Sequence, residues 1–304
     1  MGADQFTLIE VGSGNGEFLE GVLNAINEKQ ESKKKSNGLR VWAVERSQPA
    51  RDLLYKRLSR FPRCQVVASM DDIDWMGTLE GCIFSNELMD ALPFHRVRKK
   101  GEKWVEILVT EKDGALVEVE GGEARIENRE LKMEEGILDG HELEIRRQIP
   151  TLYEEWGARL SRGYVLTVDY GHPRESFLSP SRSKGTMMCY HRHEASKNPF
   201  LNLGEQDITA HVDFSQLARV GKNFGFDPLL FCSQGIFLSH LGQKHIESYL
   251  AHAPEDEKRR RVGAIQQLIH PDAMGEIFWV LLQAKGVEIP PAFAALPNRL
   301  RRLV

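Results

Sequence analysis

Three glycines at alternate positions, Gly12, Gly14 and Gly16, divide an apolar run from a helical apolar pattern. Glycines so spaced let a backbone turn sharply and come close to a ligand. Ahead of them Phe6, Leu8, Ile9 and Val11 have the character of a buried strand, and behind them Leu19, Val22, Leu23 and Ile26 recur at helical spacing. The loop therefore belongs at the carboxyl end of a first strand, where open α/β sheets bind their ligands. Its pattern, G-x-G-x-G, departs from the dinucleotide fingerprint, because Glu17 stands where that fingerprint has its third glycine. A carboxylate in the first turn of the helix repels a pyrophosphate placed on the helix N-terminus. Glu10, just before the first glycine, brings a second negative charge that suits an ammonium or sulfonium group. S-adenosylmethionine carries both, and Ser13 lies among the same loop contacts. Taken alone, such a turn could also do no more than join a strand to a helix.

Three further groups of residues could do chemistry. Glu45 ends the second apolar run, Leu39–Val44, at the place where a carboxylate in an α/β nucleotide site accepts hydrogen bonds from two ribose hydroxyls. The competing reading pairs it with Arg46 or Arg51. Asn86, Glu87 and Asp90 follow the apolar run 81–85, with Pro93 as the stop. Asn86 is placed both with the cofactor contacts and beside the acceptor. Glu87 and Asp90, three apart in an expected helical turn, would share a face. The competing reading has Asp90 capping a turn and Glu87 pairing with His95 or Arg96. His172, His191, His193 and His211, with Asp207, have no spacing of a closed metal site, so hydrogen bonding is expected of them and no metal.

The elements that must position these residues are those of one large α/β unit. The chain has 304 residues, 41% of them hydrophobic and 28% charged, and a net charge of −4, which gives no sign of general affinity for nucleic acid or anionic membrane. No apolar run is long enough for a membrane span. Cys64, Cys82, Cys189 and Cys232 are scattered and read as free thiols. Residues 28–38 read as a polar loop, a helix follows from Gln48 to Arg60, and a short strand covers 64–68. From His95 to Gln148 the pattern turns to period two, with a hairpin signal at Asp113-Gly114. Residues 95–148 are thus expected to be an antiparallel insertion that serves partner recognition, and 1–94 with 149–304 the core. A helix near Pro150 presents Leu152, Trp156 and Leu160, and strands are expected at 164–168, 226–232 and 276–283, with helices at 214–223, from Ser233 and around 255–268.

Several separated stretches together point further. GSGNG with Glu10, AVERS at 43–47, FSNELMDALPFHRV at 84–97, VDYG at 168–171, GTMMCYHRH at 185–193 and GEQDITAHVDFS at 204–215 resemble the MidA-like methyltransferases. That family includes the mitochondrial complex I assembly factor that methylates an arginine of a complex I subunit. The resemblance implies a Rossmann-like methyltransferase sheet of order 3-2-1-4-5-7-6 with the last strand antiparallel, and S-adenosyl-L-methionine as cofactor. It implies less directly a protein acceptor, an arginine of a respiratory complex I subunit, approached by Glu87, Asp90 and Asn86. It places the protein in the cytoplasm of a bacterium or, with a transit peptide removed, in the mitochondrial matrix of a eukaryote. A second reading is a cofactor-binding assembly factor with little catalytic activity. A third, a nucleotide-dependent oxidoreductase, is opposed by Glu17.

Overall fold

The apolar runs become strands of one twisted sheet in the computed structural model, which describes residues 6–31, 38–74, 79–124, 137–192 and 194–303. In chain order the first strands are β1 (Phe6–Val11), β2 (Leu39–Val44), β3 (Cys64–Val67), β4 (Leu79–Asn86), β5 (His95–Lys100), β6 (Lys103–Lys112), β7 (Ala115–Glu123) and β8 (Glu142–Ile145). Then come β9 (Leu160–His172), β10 (Met188–His191), β11 (Glu194–Ser196), β12 (Asp207–Thr209), β13 (Val212–Asp213), β14 (Asp227–Ser233) and β15 (Phe278–Lys285). The main sheet runs β3-β2-β1-β4-β9-β15-β14, with β15 antiparallel to both neighbours. This is the order 3-2-1-4-5-7-6 expected of a methyltransferase sheet.

Helices cover both faces. They are α1 (Glu17–Glu31), α2 (Gln48–Leu58), α3 (Gln148–Arg159), the short α4 (Arg174–Phe177), α5 (Phe214–Asn223), α6 (Gln234–Ala251) and α7 (Glu255–Ile269). On one face Tyr153 and Trp156 of α3 and Phe214 and Leu217 of α5, all fully buried, pack on Ile9, Val11, Ile83 and Val165. On the other, Leu19 and Leu23 of α1 and Leu54 and Leu58 of α2 pack on Val41, Ala43 and Val66. Burying an apolar side chain of this size stabilises the fold by about 1.5–3 kcal/mol. The alternation of β1 follows from these two layers: Ile9 and Val11 face α3 and α5, while Leu8 faces α1 and α2.

The second sheet, β7-β6-β5-β8, is antiparallel, and its central turn has Asp113 and Gly114 at φ 53° and 79°, the left-handed pair that a tight hairpin needs. A third sheet, β11-β10-β12, belongs to the excursion between β9 and β13. Some boundaries differ from expectation. β9 runs from Leu160 to His172 because β4 and β15 pair with it along most of that length. In α3 the buried face is Ile149, Tyr153 and Trp156, with Leu152 half-buried beside it. Helix α1 continues to Glu31, and residues 32–37 of the expected loop lie outside the described residues.

Candidate active site

The glycine loop is tied down at the end of β2, where Gly12 N–H and Ser13 N–H donate to the Val44 carbonyl at 2.8 and 3.2 Å. Gly16 (φ 80°) opens α1, and a Cβ there would lie 2.6 Å from Leu54 of α2, so this glycine serves helix packing. Gly14 (φ 54°) is different, because a Cβ built on it meets nothing within 4 Å. Its backbone faces open space. Glu17 turns towards α2 and pairs with Arg57 at 3.3 Å, so its charge is partly answered within the protein.

Both carboxylates of this side are engaged by the loop or lie beneath it. Glu45 accepts from Gly14 N–H at 2.9 Å and from Ser47 N–H at 2.8 Å, one on each oxygen, which leaves each oxygen further acceptor capacity. Arg51 donates to the main-chain carbonyls of Glu45 and Arg46 rather than to the carboxylate. Glu10 is 3% exposed and its Oε2 has no hydrogen-bond partner. Burial pushes its carboxyl up to about 7, the Ser13 hydroxyl opposes that rise, and the Glu45 charge adds to it.

On the far side of β4 the chain does not form the helical turn expected at 87–90. Glu87 takes the left-handed conformation, φ 49°, and its N–H donates to the Val168 carbonyl at 3.0 Å. Met89 N–H and Asp90 N–H then donate to one carboxylate oxygen of the fully buried Asp169, at 3.0 and 3.3 Å, while Tyr170 N–H donates to the other at 2.9 Å. Side chains of Glu87 and Asp90 therefore do not share a helical face: Glu87 is exposed, and Asp90 is only 4% exposed. Nor does Glu87 take the alternative partners, since His95 faces Glu106 and Arg96 pairs with Glu118 and Glu142. It instead accepts from the Asn86 amide at 3.3 Å.

Asp90 sits among groups that sequence reasoning did not assemble. The Tyr170 hydroxyl donates to its Oδ2, and its Oδ1 is buried with no partner. Burial raises its pKa, against the Tyr170 hydrogen bond and the Arg146 charge. Arg146, 3% exposed, donates to the carbonyls of Asp90 at 2.9 Å, His211 at 3.0 Å and Ala210. The Tyr170 ring meets His211 edge-on at 5.6 Å, and His211 lies 5.0 Å from His172, whose Nε2 accepts from Arg182 at 2.9 Å. Burial and then Arg182 push His172 down to about 3; burial, Arg182 and Arg146 push His211 down to about 4. Both imidazoles are therefore neutral near pH 7. Of the expected histidine group these two come together, His191 lies apart near Glu205, and His193 is outside the described residues. Among the described residues no three His, Cys, Asp or Glu side chains gather in a way that could hold a metal ion.

Comparison with known proteins decides the family. Residues 1–232 match the model of a family described as "Putative S-adenosyl-L-methionine-dependent methyltransferase". The chain belongs to that family. This methyltransferase is 28% identical, over 93% of its length and 68% of the relative's, to a protein of Drosophila melanogaster named protein arginine methyltransferase NDUFAF7 homolog, mitochondrial. A Caenorhabditis elegans protein of the same name is 26% identical over 96% of the chain and 68% of its own length. A crystal structure of a Burkholderia thailandensis protein bound to S-adenosyl-homocysteine superposes with a TM-score of 0.84 at 28% identity, covering 98% of the methyltransferase and 76% of that chain. S-adenosylmethionine is thus the cofactor. The residues present fit it, with open space at Gly14, spare acceptor capacity on Glu45 and an unpartnered oxygen on Glu10. The sequence reading gave no role to Arg146, to Asp169 and Tyr170 of the VDYG stretch, or to the pairing of His211 with Tyr170. The signals available were that stretch itself and Tyr170's place at the carboxyl end of a central strand.

No helix among the described residues is long and apolar enough to cross a membrane.

Proposed function

We propose that this methyltransferase modifies a guanidinium nitrogen of an arginine in a partner protein. The observation that carries the reading is Asp90: a carboxylate at the end of the central strands with one oxygen held by Tyr170 and the other buried without a partner, close to Glu87. A buried acceptor of that kind calls for a donor, and a cation that brings its own N–H groups suits it. The names of the two mitochondrial relatives support an arginine acceptor and, for a eukaryotic chain, a mitochondrial site of action. The narrower assignment, to a subunit of respiratory complex I, rests on the family resemblance.

S-adenosylmethionine, when bound, supplies an electrophilic methyl group on a sulfonium sulfur. Glu10, Gly12, Ser13, Gly14, Glu45 and Asn86 are the residues that would hold it, with Gly16 fixing the loop against α2. A guanidinium has a pKa above about 12 and spreads its charge, so no nitrogen lone pair is ready at neutral pH. Glu87 would hold the charge on two nitrogens and leave the third aimed at the methyl group, beside Asp90 Oδ1. The proton that the methylated nitrogen sheds goes to Asp90 Oδ1, whose basicity burial has raised.

The test is labelled methyl transfer to complex I subunits, with the modified residue located by mass spectrometry. Label on arginine supports the reading. Label on lysine would overturn it, and binding without transfer would favour the assembly-factor reading.

Two predictions concern the cofactor. Glu45→Ala is expected to weaken S-adenosylmethionine binding by about 1–3 kcal/mol, because the hydroxyls it accepts from would lose a matched partner. Unchanged affinity by calorimetry would remove Glu45 from the site. Glu10 gives a pH dependence with a definite sign. Its carboxyl is near 7 in the free protein. A bound cation favours the charged form, so affinity is expected to rise as pH passes upward through that value, by about tenfold for each unit by which binding lowers the pKa. The folded state itself favours neutral Glu10, so its contribution to stability is present below the unfolded carboxyl pKa and lost as pH rises through about 7. Glu10→Gln should flatten the binding profile between about pH 6 and 8; a wild-type slope surviving in that variant assigns the effect elsewhere.

A further inference from the structure

Strand β8 belongs to the second sheet, and alternate side chains from Glu142 onward tie it both to its neighbour β5 and to segments outside that sheet. Glu142 takes Arg96 at 2.9 Å, Arg98 at 3.0 Å and Lys184 at 3.5 Å. Glu144 accepts from Thr186 N–H at 2.9 and 3.1 Å, from the Thr186 hydroxyl at 3.0 Å and from Met187 N–H at 3.0 Å. Arg146, one residue past the strand, holds the carbonyls of Asp90, Ala210 and His211. The approach of Glu144 is built in, since a Cβ on Gly185 (φ 70°) would lie 2.2 Å from its Oε1.

We propose that Glu144 is a positioning residue for the acceptor side of the site, acting through Thr186 and His211 on the Tyr170–Asp90 pair. The Thr186 hydroxyl donates to Glu144 and accepts from His211 N–H at 3.1 Å, so the carboxylate fixes the main chain that carries the imidazole. His211 in turn backs the Tyr170 ring, whose hydroxyl holds Asp90. A carboxylate bound by three donors of one short loop, through four hydrogen bonds, is a rigid clasp, whereas a neutral side chain there would hold it less strongly. The consequence is that a sheet read from sequence as a partner-binding insertion is also part of the wall that sets Asp90.

The inference rests on Asp90 marking the acceptor side, and the experiment keeps the two ideas apart because its main readout needs no acceptor. The probe is the His211 Cε1–H resonance, followed against pH in the full-length protein, together with S-adenosylmethionine affinity. Arg182, Arg146, Tyr170 and His172 are the groups facing this imidazole. In wild type its midpoint is expected near 4. In Glu144→Gln it is expected to move at least about one unit towards the ordinary value of about 6.5 as burial loosens, with cofactor affinity within about twofold of wild type. Glu144→Asp should restore most of the shift. Thr186→Val, which cuts only the hydroxyl link, carries the same test if Glu144→Gln fails to fold. A His211 midpoint unmoved in a folded variant, or cofactor affinity falling in step with it, overturns the proposal. An absence of methylarginine with His211 shifted would instead count against the arginine reading.

Discussion

Asp90→Asn is expected to lower methyl transfer by about a hundredfold or more while S-adenosylmethionine affinity stays near wild type, because a positioned acid or base contributes about 10²–10⁴-fold to rate. Asparagine keeps the shape of the side chain, and its carbonyl oxygen can still accept from Tyr170. It loses the negative charge and the proton acceptor together. Glu87→Gln should cost less, since Glu87 is exposed and water can replace part of what it supplies. Transfer and binding measured on the same preparations separate the outcomes. Equal turnover in Asp90→Asn would remove Asp90 from the chemistry, and a parallel loss of cofactor affinity would make its role structural.

Arg146→Met is expected to destabilise the fold by about 3–5 kcal/mol, the usual consequence of removing one partner from a buried charged network. Two losses combine. Asp90 and Asp169 lose the charge of a neighbouring cation, and three carbonyls on two segments lose their donor. Lysine should not rescue, because a single ammonium lacks the planar fork that reaches several carbonyls at once. By contrast, a surface pair such as Lys100–Glu120, with side chains 63% and 46% exposed, is worth about 0–1 kcal/mol. Denaturant unfolding measures the difference. A cost below about 1 kcal/mol would mean that water satisfies the carbonyls once the arginine is gone.

What the sequence revealed and what it hid divide along chain separation. The glycine loop, the strands at 6–11 and 39–44, the hairpin at Asp113-Gly114 and the helix 214–223 were readable because each rests on local periodicity or turn chemistry. The sheet order followed from the resemblance of several motifs. Residues 87–90 were misread as helical because Leu88, Met89 and Leu92 before Pro93 suggest it. The deciding force is Asp169, eighty positions from Met89 in sequence, whose carboxylate takes the N–H groups that a helix would use. Tyr170, Arg146 and Glu144 were missed for the same reason: each acts on a partner that only the folded sheet brings near. That Glu10 lies buried beside the glycine loop and Glu45 against Gly14 was legible because their place relative to the first glycine and to the end of β2 is a matter of counting.

The short strand β13 has a consequence for how this scaffold can change over time. Val212 and Asp213 pair in parallel with Gly171 and His172, so the chain that leaves β9 at Pro173 returns to the same strand end at His211. The excursion is closed at its base like a purse held by its drawstring. Extra chain in such a closed loop costs little, about 0.6 kcal/mol for each doubling of its length. Insertions and deletions between 197 and 206, outside the pairs that β10 makes with β11 and β12 and away from Thr186, can therefore change the outer part of the excursion while His211 stays opposite Tyr170. Loop exchange in this interval is the natural route by which one chemistry could be carried to new partners, and it is where grafted recognition segments should be tolerated.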